Sequence, residues 1–178
     1  MTALFVTVPF GPMAIAIGQA LNKDFYRTNA WDKLFRREFL LENKMTFIEG
    51  KLYEDMLFCF DVYITASKVM VCDCYPYHYV LYNSGSITKQ FREKDLDVLW
   101  FVGKADDLFN QKGLFKGITP KAYYQMIFNW INSCLIKKYA PILPKSKEAR
   151  EFCKCIFSNP VFRRSIKYCI SHKVLFRQ

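Results

Sequence analysis

Glu54 and Asp55 are adjacent carboxylates placed directly ahead of the apolar run MLFCF. A carboxylate within hydrogen-bond reach of a hydroxyl can take its proton and make it a better nucleophile. Acids are also favoured in the first turn of a helix, by about 0.3–1 kcal/mol each through the macrodipole. That dipole weakens a carboxylate as a base, whereas a like-charged neighbour strengthens it. Taken alone, the pair reads as helix-start acids. Cys72 and Cys74 fall on one face of an expected strand, with His78 four residues on. A zinc site needs a fourth ligand and tidier spacing, so these cysteines read as buried free thiols. The seven cysteines form no CxxC pair and are odd in number. That suits a reducing compartment better than a disulfide framework.

These residues need elements to hold them. After Pro12, MAIAIGQALNKDFY reads as a helix opened by a proline. Thr28 and Asn29 are cap residues before AWDKLFRREFLLENK, a second helix with Trp31, Leu34 and Phe35 on one stripe. MTFIEG is short and extended. YEDMLFCFDVYITAS gives a helix over 53–66 that is apolar nearly all round and therefore buried. KVMVCDC and YPYHYVLY, rich in β-branched and aromatic residues, read as two strands, followed by the loop NSGSIT. Helices are expected over 92–112, 119–138 and 146–157, with a last one from Asn159. Asp95 and Asp97, in the letters DLD, read as a solvated helix face.

The 178 residues suffice for one domain with a real core. The net charge of +10 is unevenly spread. Residues 1–66 carry seven Lys/Arg against eight Asp/Glu, a net of −1, and residues 67–178 carry +11. From Lys137 onward eleven basic residues face two acids. Such a tail suits an anionic partner (nucleic acid, phospholipid or a phosphorylated substrate) or is simply a solvated basic face. Residues 1–22 are uncharged but broken by Pro9, Gly11 and Pro12. They fit neither a spanning helix nor a signal peptide and read as buried or surface-docked.

In this order, AWDKLFRREFL, FIEGKLYEDMLF and YPYHYVLYNSGSIT resemble the C-terminal half of family 2 glycosyltransferases with a GT-A fold. The bacterial enzymes that build surface polysaccharides are the nearest likeness, over about residues 28–90. The resemblance implies an α/β fold: a partial GT-A-like mixed sheet with flanking helices, then a helical C-terminal extension. Residues 1–90 would be the acceptor-side half, with 1–27 an apolar lead-in, and 91–178 a basic helical region. It implies transfer of a sugar from a nucleotide diphosphate sugar to a hydroxyl. Asp55 takes the place of the catalytic base, with Glu54 beside it. Trp31 and Lys33 would border the acceptor and donor sites, and His78 and Tyr79 would run close to the diphosphate. From its helical spacing Trp31 reads first as core, and for His78 a satisfied core or edge position is an equal reading.

The family's nucleotide-binding βαβ unit and its Asp-x-Asp metal motif have no counterpart here. A divalent cation, Mg or Mn, is expected from the family, yet its usual ligands are not in this chain. The chain by itself is therefore expected to show no robust transferase activity and to work with a separate N-terminal, donor-binding half. The resemblance implies a glycan or lipid-linked acceptor and a cytoplasmic place, with peripheral contact at the inner face of the cell membrane as an option. Tyr123, Tyr124, Phe128 and Trp130 read first as core. Interleaved with Lys137, Lys138, Arg163 and Arg164, they would also suit an anionic membrane surface. Nucleic acid is not expected, because no recognised module accompanies the charge. Open strand edges of a half-sheet would favour a homo-oligomer. The competing reading is a non-catalytic basic module that binds an anionic membrane or a protein partner.

Overall fold

The computed structural model describes residues 28–67, 77, 93–115, 119–136 and 147–173. Their regular elements are α1 (Arg37–Glu42), α2 (Glu54–Thr65), a 3-10 turn (Glu93–Leu96) leading into α3 (Asp97–Gln111), α4 (Thr119–Ile131) running on into a π-helical turn (Asn132–Ile136), α5 (Lys147–Ser158) and α6 (Pro160–Ser171).

The centre of the core is α2. Met56, Leu57, Phe60 and Ile64 pack with Val98, Phe101, Val102, Ala105 and Phe109 of α3 and with Tyr123, Ile127 and Trp130 of α4. Phe60 stands edge-on to Trp130 at 5.8 Å and lies parallel to Phe109 at 6.5 Å. The other side of α2, through Phe58, Cys59 and Val62, meets Ala30, Phe35, Phe39, Leu40 and Met45. An α-helix apolar on both sides must be covered on both sides, and here the segment before it and the helices after it do so. Gly113 ends α3 with φ +65, and Leu114 N–H returns to the Phe109 carbonyl at 3.1 Å. That left-handed C-terminal turn suits glycine. Asn159 caps α6 through its side chain, which accepts from Phe162 N–H, and Pro160 occupies the first turn.

The expected α/β class is not what the structure has. Of the described residues 72% are helical, with no strand and no sheet. The physical reason is visible in α2: its apolar faces are covered by helices α3 and α4 on one side and by the segment before it on the other, not by a sheet. The two segments expected as strands lie outside the described residues, apart from Tyr77. So do the expected helix over 13–26, residues 1–22, Cys72 and Cys74. The strand-edge argument for a homo-oligomer therefore has no strand to rest on among the described residues.

One further expectation is corrected. The second helix holds only Arg37–Glu42, and Leu34, expected on its apolar stripe, is 77% exposed. The Lys33 ammonium folds back onto the Asn29 carbonyl and the Asp32 carboxylate, and local side-chain bonding of this kind gives the backbone an alternative to the helix. Tyr123 and Trp130 are buried in the core, the reading put first for them. Among the described residues no helix is long and apolar enough to cross a membrane.

Candidate functional site

The chain enters α2 through a tight turn. Gly50 has φ +74, and Tyr53, the residue before Glu54, is itself left-handed at φ 61, ψ 27. That conformation is uncommon for a bulky residue and costs of order 1–3 kcal/mol, so its surroundings must over-determine it. They do so from forty residues away. Asp97 accepts from Leu52 N–H at 3.1 Å and from the Lys51 ammonium at 2.8 Å. Asp95, 1% exposed, accepts from the Tyr53 hydroxyl at 3.1 Å. Lys51 also lies over the Trp100 ring, 5.5 Å from its centroid. Asp95 and Asp97 are thus not a solvated face; they fasten the turn that presents Glu54 and Asp55. Nothing local in the sequence signals this, because both contacts depend on α3 packing against α2.

Glu54 and Asp55 occupy the first turn of α2, with no side-chain cap. Asp55 is half-buried. Burial lifts its carboxyl above the ordinary carboxylate value, and the Glu54 charge adds to the rise. The backbone N–H groups of Met56 and Asp55 and the Lys33 charge pull downward without cancelling it. Desolvation outweighs the favourable end of the helix, and the outcome is a carboxylate with a stronger hold on a proton.

Below Asp55 the same side of α2 carries Cys59 and Tyr63 at i+4 and i+8, and both respond to the charge of Asp32. Burial pushes the Cys59 thiol up to about 12, with Asp55 and Asp32 adding to the rise and Lys33 opposing it. Cys59 is therefore a neutral packing thiol and no nucleophile at neutral pH. Burial, then Cys59 and Asp32, raises the Tyr63 phenol. Asp32 and Lys33 form an ion pair whose side chains are each 6% exposed. Asp32 carries no signal in the sequence, since only the fold shows it to be buried.

Trp31 sits in a turn and not on a helix. Its ring lies 4.5 Å from that of Tyr77, tilted by 36°, and Tyr77 is 44% exposed. The structure thus draws Lys33 into the electrostatic neighbourhood of Asp55, and gives Trp31 an aromatic partner beside Lys33 in the chain. His78 and Tyr79 lie outside the described residues. The divalent cation expected from the family finds no fit: among the described residues no three His, Cys, Asp or Glu side chains converge to hold a metal ion, and Asp32 is committed to Lys33. What the arrangement offers is a half-buried base, a fixed cation and an aromatic pair.

No family model matches the chain, and no solved structure does. Over 114 residues, 61% of its length, the chain is 30% identical to the cholesterol galactosyltransferase of Borreliella burgdorferi. Those residues are 32% of that protein, so the chain spans about a third of the curated relative it matches.

Proposed function

We propose that the chain is part of a glycosyltransferase, and that Asp55 is the base that takes the acceptor hydroxyl's proton as the oxygen attacks the anomeric carbon of an activated sugar. The observation that carries the reading is the raised proton affinity of a half-buried Asp55 on a fastened, left-handed turn. A base works best when its pKa approaches the operating pH, and strain held by surrounding contacts is a recurrent property of active sites. The similarity to a galactosyltransferase supports the reaction class.

The donor is a nucleoside diphosphate sugar. Its leaving diphosphate gathers negative charge in the transition state and requires cationic groups or dipoles aimed at it. Lys33, held in place by Asp32 and the Asn29 carbonyl, is a fixed cation whose charge acts on Asp55. The Trp31–Tyr77 pair offers the flat apolar surface on which a sugar ring or another ring-bearing alcohol stacks. The relative's name makes galactose and a sterol the first donor and acceptor to assay. The nucleotide-binding unit is supplied by other sequence, in the same protein or a second one.

The test is transfer of labelled galactose from its nucleoside diphosphate to sterol and to glycan acceptors, with the chain in the presence of that donor-binding unit. Asp55→Asn should lower turnover by about 10²–10⁴-fold, the usual worth of a positioned base, while leaving donor binding unchanged. A variant that keeps more than a tenth of the turnover would remove Asp55 from the role.

A further inference from the structure

The surface of α6 has no part in the site described above. Along it Pro160, Arg163, Arg164, Lys167, Ile170 and Ser171 are all exposed. Their spacing of three and four residues places them on one stripe, while Val161, Phe162, Ser165 and Cys169 on the opposite side are buried. The stripe runs for about 16 Å at the helical rise. It carries three cations, and α6 contains no acid. Arg164 is engaged by Asp106 of α3. Among the described residues neither Arg163 nor Lys167 has an ion pair.

A large apolar side chain lies in the open beside these charges. Ile170 is 56% exposed at the C-terminal end of the stripe. Phe157, near the end of α5, is 52% exposed too, but it packs 5.9 Å from the Phe162 ring, on the side of α6 away from the stripe. Lys147, Arg150 and Lys154 add exposed positive charge on α5, with Lys154 paired to Glu151. An exposed row of Lys/Arg that ends in an exposed Ile matches the layered chemistry of a bilayer surface. The charges meet anionic headgroups, and the apolar end enters the acyl boundary. A nucleic acid would use the charge but offer nothing to Ile170.

We infer that the exposed face of α6, ending in Ile170, docks onto an anionic phospholipid bilayer. The charges steer the chain and supply most of the affinity, and Ile170 sets its depth. The inference is carried by this surface alone and does not require Asp55 to be a base. It would bring a lipid-soluble acceptor within reach of the chain.

The experiment is vesicle co-sedimentation of the full chain on pure phosphatidylcholine and on phosphatidylcholine with 30% phosphatidylglycerol, at low and at high salt. The anionic vesicles should bind at least tenfold more tightly, with the advantage lost at high salt, because each Lys or Arg near such a surface contributes about fivefold. The double reversal Arg163→Glu/Lys167→Glu should lower anionic-vesicle binding by at least about 25-fold. A control of equal charge change on another exposed region, Arg37→Glu/Lys44→Glu, should lower it by less than threefold. Ile170→Ser should weaken binding several-fold and persistently so at high salt. Circular dichroism must show that each variant folds. Equal binding to both vesicle types, no binding to either, a control as damaging as the α6 reversal, or tighter binding to duplex DNA than to anionic vesicles would each overturn the inference.

Discussion

Replacing Asp97 with alanine tests whether the turn before α2 is held from α3. The carboxylate is 13% exposed and bonds two groups of one turn, Leu52 N–H at 3.1 Å and Lys51 at 2.8 Å. A hydrogen bond to a charged acceptor is worth about 1.5–3 kcal/mol. The Lys51 side chain is 36% exposed, so that ion pair adds only about 0.2–1 kcal/mol. Both bonds share one carboxylate and do not add in full. Release of the turn also lets Tyr53 leave its left-handed conformation, which returns part of about 1–3 kcal/mol of strain. The expected net loss for Asp97→Ala is about 2 kcal/mol, or about 4–8 °C in melting temperature for a chain of this size. Asp97→Asn keeps an oxygen for Leu52 N–H and should lose about half as much. Urea unfolding at 25 °C, followed by far-ultraviolet circular dichroism, gives both values. An alanine variant within about 0.5 kcal/mol of the parent, or an asparagine variant as damaged as alanine, would refute the fastening.

Two further expectations follow from the same structure. Asp55 has a raised pKa when folded, chiefly through burial, so its share of stability is full below the unfolded carboxylate value of about 3.9 and is lost as pH rises through the folded one. Asp55→Asn should therefore unfold at higher denaturant than the parent at pH 7, with the gap closing as pH falls toward 3.5. A gap that widens on acidification would contradict the burial argument. Tyr123 is buried and donates its hydroxyl to Asp106 at 2.7 Å, with Arg164 on the other carboxylate oxygen. Tyr123→Phe keeps the ring and should cost about 1.5–3 kcal/mol; a loss under about 0.5 kcal/mol in urea unfolding would show that the hydroxyl carries no weight.

Much of the helical framework was legible in order and extent. Asn159 and Pro160 mark the start of α6 by cap chemistry, and the 3.6-residue spacing of Val98, Phe101, Val102, Ala105 and Phe109 marks the buried side of α3. The dense apolar run after Asp55 foretold a buried helix, and α2 is one. The stretch from Ala30 to Arg36 was not legible. Its spacing is helical, but the inward fold of Lys33 takes the backbone elsewhere, and periodicity does not register a side chain that bonds the carbonyl of Asn29. The fold class failed for a related reason: apolar helices ask for cover, and the local pattern does not say whether a sheet or further helices will provide it.

The sequence by itself determined that Glu54 and Asp55 begin a buried helix and that a basic, helical region follows. Tertiary structure alone decided what those acids are. It set burial against the helix dipole at Asp55 and let burial prevail. It turned Asp95 and Asp97 from surface letters into the anchors of Tyr53 and Leu52, across separations of 42 and 45 residues. It also left Arg163 and Lys167 on an exposed stripe while burying Tyr123 and Trp130. The reason is common to all three. A proton's affinity, a carboxylate's partner and a cation's exposure depend on what lies across space, whereas spacing along the chain reports only which side of an element each residue occupies.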